Sequence, residues 1–216
     1  PMLVHLPQLS AFGLFAVVSF FVAASPGPTW VYVLTCAVSH GRPAAWLCVL
    51  GNLFGIGLHI FAAGIGLSLL LASSDNFLFA LSVLGGLYLI YLGASRFRET
   101  RFSLQQQTGE YRAYSKREVM TKTALINILN PKVLLLFLTL LPQFAEPGRS
   151  FLIQSLAFGF LHACIASLVL FVVIEVFMAA GRRAVAPNAT AWLWFNRLGG
   201  AVILAFGVNL LASPWL

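Results

Sequence analysis

Six apolar runs, at about residues 9–38, 44–72, 77–95, 119–141, 151–179 and 192–212, reach or exceed the roughly 20 residues that a helix needs to cross a bilayer. A surface helix of a soluble domain shows a polar face instead. The residue balance points the same way: 60% of the 216 residues are hydrophobic and 9% are charged, against about 25% charged in soluble domains. The longest polar interval, Ser95 to Glu118, lacks an apolar periodicity of its own and reads as a connecting loop. The expected fold is an all-α membrane protein, a single transmembrane domain over 1–216 with six transmembrane helices. The N-terminal apolar stretch lacks the Lys or Arg of a signal peptide and continues into further apolar sequence, so it reads as the first span.

Positive charge sets the orientation. Beside the connections after spans one, three and five lie Arg42; then Arg96, Arg98, Arg101, Arg112, Lys116, Arg117 and Lys122; then Arg182, Arg183 and Arg197. Only Arg149 lies on the opposite side. Because cytoplasmic loops collect Lys and Arg, the basic loop at about 96–118 is expected in the cytoplasm and both termini outside. Topology and contact with anionic lipid account for the net charge of +7, so no nucleic-acid partner is expected.

The two halves of the chain resemble each other. Span three carries "GGLYLIYLG" (Gly85 to Gly93) and span six "GGAVILAFG" (Gly199 to Gly207). Phe54 and Gly55 precede His59 in span two, as Phe158 and Gly159 precede His162 in span five. Span one is interrupted at Pro26 and Pro28, and span four at Pro131. Repeat one therefore covers about 9–95 and repeat two about 119–212. A repeat of three spans begins on opposite faces of the membrane in its two copies, so the repeats are inverted, as in many secondary transporters. Glycines such as Gly51, Gly55, Gly85, Gly86, Gly199 and Gly200 read mainly as close helix contacts.

The breaks carry the functional signal. Proline inside a helix deletes a hydrogen bond and clashes with the preceding turn, and lipid offers no water to satisfy the freed carbonyl. A straight helix over 9–38 would run about 45 Å at 1.5 Å per residue, too long for a core of about 30 Å. Irregular backbone at membrane depth survives only where protein buries it or where it lines a wet cavity. Freed carbonyls suit an ammonium group and new helix N-termini suit an anion, so a pair of breaks suits a zwitterion.

The motifs "SPGP", "GGLYLIYLG" followed by "SRFR", and "NILNPKVLLLFLTLLPQF" (Asn127 to Phe144) resemble the LysE/RhtB family of bacterial amino-acid exporters over essentially the whole chain. The resemblance implies a six-helix, multi-pass inner-membrane secondary transporter that exports amino acids by proton antiport; in that membrane the charge distribution above makes both termini periplasmic. Carried over by position, Pro26, Gly27, Pro28, Asn130, Pro131 and Lys132 are the matching motif residues. Where some members carry an acidic residue in the fifth helix, this chain reads "HACIAS".

The substrate-binding candidates are Ser25, Pro26, Gly27, Pro28, Thr29, Asn52, Asn127, Asn130, Pro131 and Lys132. Asn127 and Asn130 share a helix face leading into Pro131, and Asn52 is placed opposite them. Lys132 is deep in the membrane, where an ionisable group is a functional candidate by default. It could bind a carboxylate or release its proton; His59 and His162 are further proton-relay candidates. Glu175 is expected to pair with Arg182 and Arg183, and Tyr88 and Tyr91 to pack in the core. Trp192, Trp194 and Trp215 read as interface anchors.

No carboxylate is expected deep in the membrane apart from Glu175, which favours a neutral amino acid as substrate. Export of a metal cation or of a basic amino acid stays open as an alternative. A thiol-disulfide carrier ranks lower, because Cys36, Cys48 and Cys164 form no C-x-x-C. An enzyme would need a nucleophile and base pair that the sequence lacks, and no cofactor or structural metal is expected. The partners are the amino acid, protons and the bilayer; a homo-oligomer stays open.

Overall fold

The computed structural model describes residues 9–71, 75–98, 115–146, 148–180 and 189–212, and every regular element among them is helical. These are α1 (Leu9–Ala24), α2 (Pro28–His40), α3 (Arg42–Leu71), α4 (Asp75–Arg98) and α5 (Lys116–Ile128). There follow α6 (Pro131–Leu135), a π-helical stretch (Leu136–Leu140), α7 (Leu141–Phe144), α8 (Phe151–Ala180) and α9 (Ala189–Ala212). Residues 99–114 of the expected basic loop lie outside the described residues, as do Arg182, Arg183, Trp215 and the side chain of Trp192.

Arg42–Gly66 within α3 and Phe151–Ala179 within α8 are each long and apolar enough to cross a membrane. The pair α1 and α2 forms a third candidate span bent by 55°, and α5 with Pro131–Phe144 a fourth bent by 52°. In α9 the apolar part, Arg197–Ala212, is shorter. By length and composition, two to four spans are therefore candidates among the described residues.

Both bends fall where the prolines predicted them. Pro26 and Pro131 have no N–H to close the next turn, and Pro28 and Pro131 then open the following helices at their first turn, where that missing donor does no harm. Pro142 lies in the first turn of α7, directly after the π-helical stretch, the kind of widened turn that accommodates a lost i to i−4 bond.

The helices are held by close backbone contact and by aromatic rings. α4 lies against α9, α3 against α5 and α8, and α1 against α8. A Cβ on Gly93 would come 2.7 Å from the Gly200 carbonyl oxygen, and one on Gly200 equally close to that of Gly93. One on Gly207 would lie 2.8 Å from the Gly86 oxygen. The double-glycine motifs thus face each other antiparallel. Between α1, α8 and α7, Phe15 and Phe158 lie 4.9 Å apart and Phe15 and Phe144 5.3 Å apart, ring centre to ring centre.

Phe54 and Phe160 are 70% exposed, as the outer faces of helices in lipid are. Tyr91, expected in the core, belongs to that outer face at 68% exposure. Its neighbour Tyr88, 6.4 Å away ring to ring, packs against the core as expected.

Gly93→Ala is expected to destabilise the protein by about 1–3 kcal/mol through overpacking. Gly57→Ala, whose Cβ would meet nothing within 4 Å, should leave thermal unfolding in detergent unchanged or slightly raised. Equal unfolding temperatures for the two variants would contradict the close α4–α9 contact.

Candidate functional site

At the first break, Pro26 cannot donate to the Val22 carbonyl, nor Pro28 to that of Ala24, and the last bond of α1 runs from Ser25 N–H to Phe21 O at 3.0 Å. The freed carbonyls are not bare. The Lys132 ammonium donates to the Val22 oxygen at 2.9 Å and to the Ser25 oxygen at 2.7 Å. The Trp30 indole N–H donates to Ala23 O at 3.0 Å, and Arg96 to Pro26 O at 3.4 Å.

The second break follows the same logic. Pro131 deprives the Asn127 carbonyl of its donor, and His59 Nε2 supplies one from α3 at 3.2 Å. Asn130 N–H adds a tighter turn to the same oxygen at 3.0 Å. The Asn130 side chain then caps α6, its Oδ1 accepting from Lys132 N–H at 3.1 Å. Carbonyls at both breaks are therefore held by the protein's own side chains, Val22, Ala23, Ser25 and Pro26 at the first and Asn127 at the second, which corrects the expectation that they lie open to a solute.

A small cavity of about 40 Å³ lies between the breaks. Its polar lining is Thr29, Asn52, Asn127, Asn130, Lys132 and His162; Ile56, Val133, Ala166 and Leu170 are apolar lining residues. No Asp or Glu lines it. It has room for only a few water molecules at roughly 10–15 Å³ each, and it is far below the roughly 300 Å³ or more of a ligand pocket. The placement of Asn52 opposite Asn127 holds: Asn127 Nδ2 donates to Asn52 Oδ1 at 2.7 Å. That leaves Asn127 Oδ1 buried without a partner, like Ser25 Oγ and Thr29 Oγ1.

The two histidines meet one ring. His59 stacks on Phe137 at 6.0 Å, and His162 meets the edge of the same ring at 5.4 Å. His162 Nδ1 is hydrogen-bonded to Ser19 Oγ at 2.7 Å, tying α8 to α1. Thus the structure brings Ser25, Gly27, Thr29, Asn52, Asn127, Asn130, Lys132 and His162 to one place. His59 belongs to it through the Asn127 carbonyl.

Several contributors carried no sequence signal of their role. Ser19 is one of many small polar residues, and Phe137 one of 19 phenylalanines. Arg96 counted only as a loop charge, yet it is buried and reaches the first break. Gly55, read as a packing glycine, makes room for Asn127: a Cβ there would lie 2.7 Å from Asn127 Oδ1.

Glu175 pairs with Arg42 at the start of α3, at 3.2 Å; its expected partners Arg182 and Arg183 lie outside the described residues. Cys36 and Cys48 are buried and Cys164 is exposed. Among the described residues no three His, Cys, Asp or Glu side chains come together as metal ligands.

Comparison with known proteins adds the context that geometry lacks. Residues 20–213 match the LysE type translocator family. The chain belongs to that family. An uncharacterized membrane protein of Vibrio cholerae is 29% identical over 186 residues, covering 86% of this chain and 89% of the relative. A homoserine/homoserine lactone efflux protein of Salmonella typhimurium is 27% identical over 189 residues, 88% of this chain and 86% of the relative. A leucine efflux protein of Enterobacter sp. is 25% identical over 147 residues, 66% of this chain and 69% of the relative. No solved structure is significantly similar.

Trp30→Phe removes the donor to Ala23 O and should destabilise the protein by about 1–3 kcal/mol, the cost of a buried acceptor left unpaired. Trp46→Phe, on a residue 39% exposed, should shift stability by no more than about 0.5 kcal/mol. Equal thermal shifts in the two variants would contradict the capping role.

Proposed function

We propose that this LysE family translocator exports a small neutral amino acid across the bacterial inner membrane as a secondary transporter. The observation that carries the reading is the cavity between two proline breaks, lined by an ammonium, amides and a hydroxyl but by no carboxylate. A lysine- or arginine-like side chain would meet Lys132 and His162 there with no counter-charge. The efflux activities named for the relatives, for leucine and for homoserine and its lactone, support an amino-acid cargo.

Transport through six spans in two inverted three-helix repeats fits the same observations. The two bends are of similar size, and in each a carbonyl four residues ahead of a proline is held by another helix: Val22 by Lys132, Asn127 by His59. The contact of α1 with α8 matches that of α5 with α3, and the α4–α9 glycine contact is its own counterpart. Arg42, Arg98, Lys116 and Arg117 stand at the ends of α3, α4 and α5, whereas Arg149 precedes α8; this distribution along the chain supports a cytoplasmic loop and periplasmic termini.

The mechanism follows from the size of the cavity. An amino acid enters only if the breaks part, and its carboxylate draws the Lys132 ammonium off the carbonyls of Val22 and Ser25 through a stronger, charge-assisted bond. Binding then releases the tie between the broken spans, and rocking of the repeats carries the solute outward. The proton comes back on the titratable groups nearest the site, Lys132, His162 and His59.

Vesicles containing the protein and loaded with leucine, homoserine or lysine test the reading. Leucine or homoserine should leave faster with an imposed proton gradient, lysine should not leave, and Lys132→Met should abolish release while the protein still elutes as a folded species. Unimpaired efflux by that variant would falsify the assigned role of Lys132.

A further inference from the structure

The capped carbonyls leave unmet acceptors of a different kind. Thr29 is 7% exposed and Asn127 2% exposed, both line the cavity, and the Thr29 Oγ1 and Asn127 Oδ1 atoms have no hydrogen-bond partner. They come from opposite sides of the site: Thr29 from the first turn of α2 after the first break, Asn127 from the last turn of α5 before the second. Buried acceptors are normally paired. Two left unpaired on residues that line one cavity are candidates for a donor that arrives when the breaks part.

Asn127 is held through its amide nitrogen. Its Nδ2 is engaged by Asn52 Oδ1, so the oxygen is the atom left over. Gly55 keeps the adjoining space clear, since a Cβ there would press on that oxygen. Water could supply the missing donors, but so could an ammonium group, which offers three donors and no acceptor. A lone cation would be repelled by Lys132, whereas a zwitterion would bring its own carboxylate for that lysine.

We infer that Thr29 Oγ1 and Asn127 Oδ1 receive the α-ammonium group of the transported amino acid, with its carboxylate on Lys132 and its side chain toward Ile56, Val133, Ala166 and Leu170. The assignment rests on the export reading above and adds the polarity with which the solute lies. Thr29 and Asn127 are then the residues that distinguish an amino acid from the plain carboxylic acid of the same skeleton.

The test is titration calorimetry on the purified full chain with leucine and homoserine, and with their deamino analogues 4-methylpentanoate and 4-hydroxybutanoate. Thr29→Val should weaken the amino acid that binds by about tenfold, equivalent to about 1.4 kcal/mol, and leave the matching deamino acid unchanged. Thr29→Ser and Asn127→Asp, which keep an acceptor, should retain the preference for the amino acid. Equal weakening of both ligands by Thr29→Val, or no change for either, overturns the assignment and leaves export standing, with water as the partner of the two oxygens. No binding of leucine or homoserine to the unaltered protein overturns both.

Discussion

A single lysine ammonium ties the two interrupted spans together. Lys132 sits in the first turn after the second break and bonds to two carbonyls at the first, those of Val22 and Ser25. In lipid an unpaired carbonyl costs several kcal/mol and an unpaired ammonium is also costly. Each is the other's remedy. The breaks are tolerated because they face each other, and the charge is tolerated because the breaks are there.

Under the proposed mechanism this mutual dependence also makes the tie releasable. A break sealed by apolar packing could open only by exposing backbone to hydrocarbon. In the proposed cycle, one held by an ammonium opens when a better partner for the ammonium arrives, and a carboxylate is such a partner. The indole of Trp30, the guanidinium of Arg96 and the imidazole of His59 hold the carbonyls of Ala23, Pro26 and Asn127 independently of Lys132. Around this hinge the glycine contacts of α4 with α9 and the phenylalanines of α1, α7 and α8 supply the rigid packing.

What was legible in the sequence was what depends on local chemistry. A proline lacks an N–H wherever it stands, so Pro26, Pro28 and Pro131 marked the breaks unaided; Asn127 and Asn130 do both reach the site, but not on one helix face, since α5 ends at Ile128 and Asn130 caps the next helix. Lys132 stood out because a charge in an apolar run is rare. Its partner atoms did not, since which carbonyl it reaches is decided by tertiary packing. The same holds for Ser19 with His162, for Phe137 between the two histidines, and for Arg42 with Glu175, whose bonds join helices distant along the chain. Freed carbonyls were expected to await a solute, but the protein supplies its own donors, and the unmet acceptors moved to the side chains of Thr29 and Asn127.

The most direct measurement is magnetic resonance of the lysine ammonium groups in protein made with nitrogen-labelled lysine, because the chain has only Lys116, Lys122 and Lys132. The bridge predicts one ammonium signal that exchanges slowly with water, correlates with the carbonyl carbons of Val22 and Ser25, disappears in Lys132→Arg and shifts when an amino acid binds. Three ammonium signals all exchanging as fast as those of free lysine would contradict it.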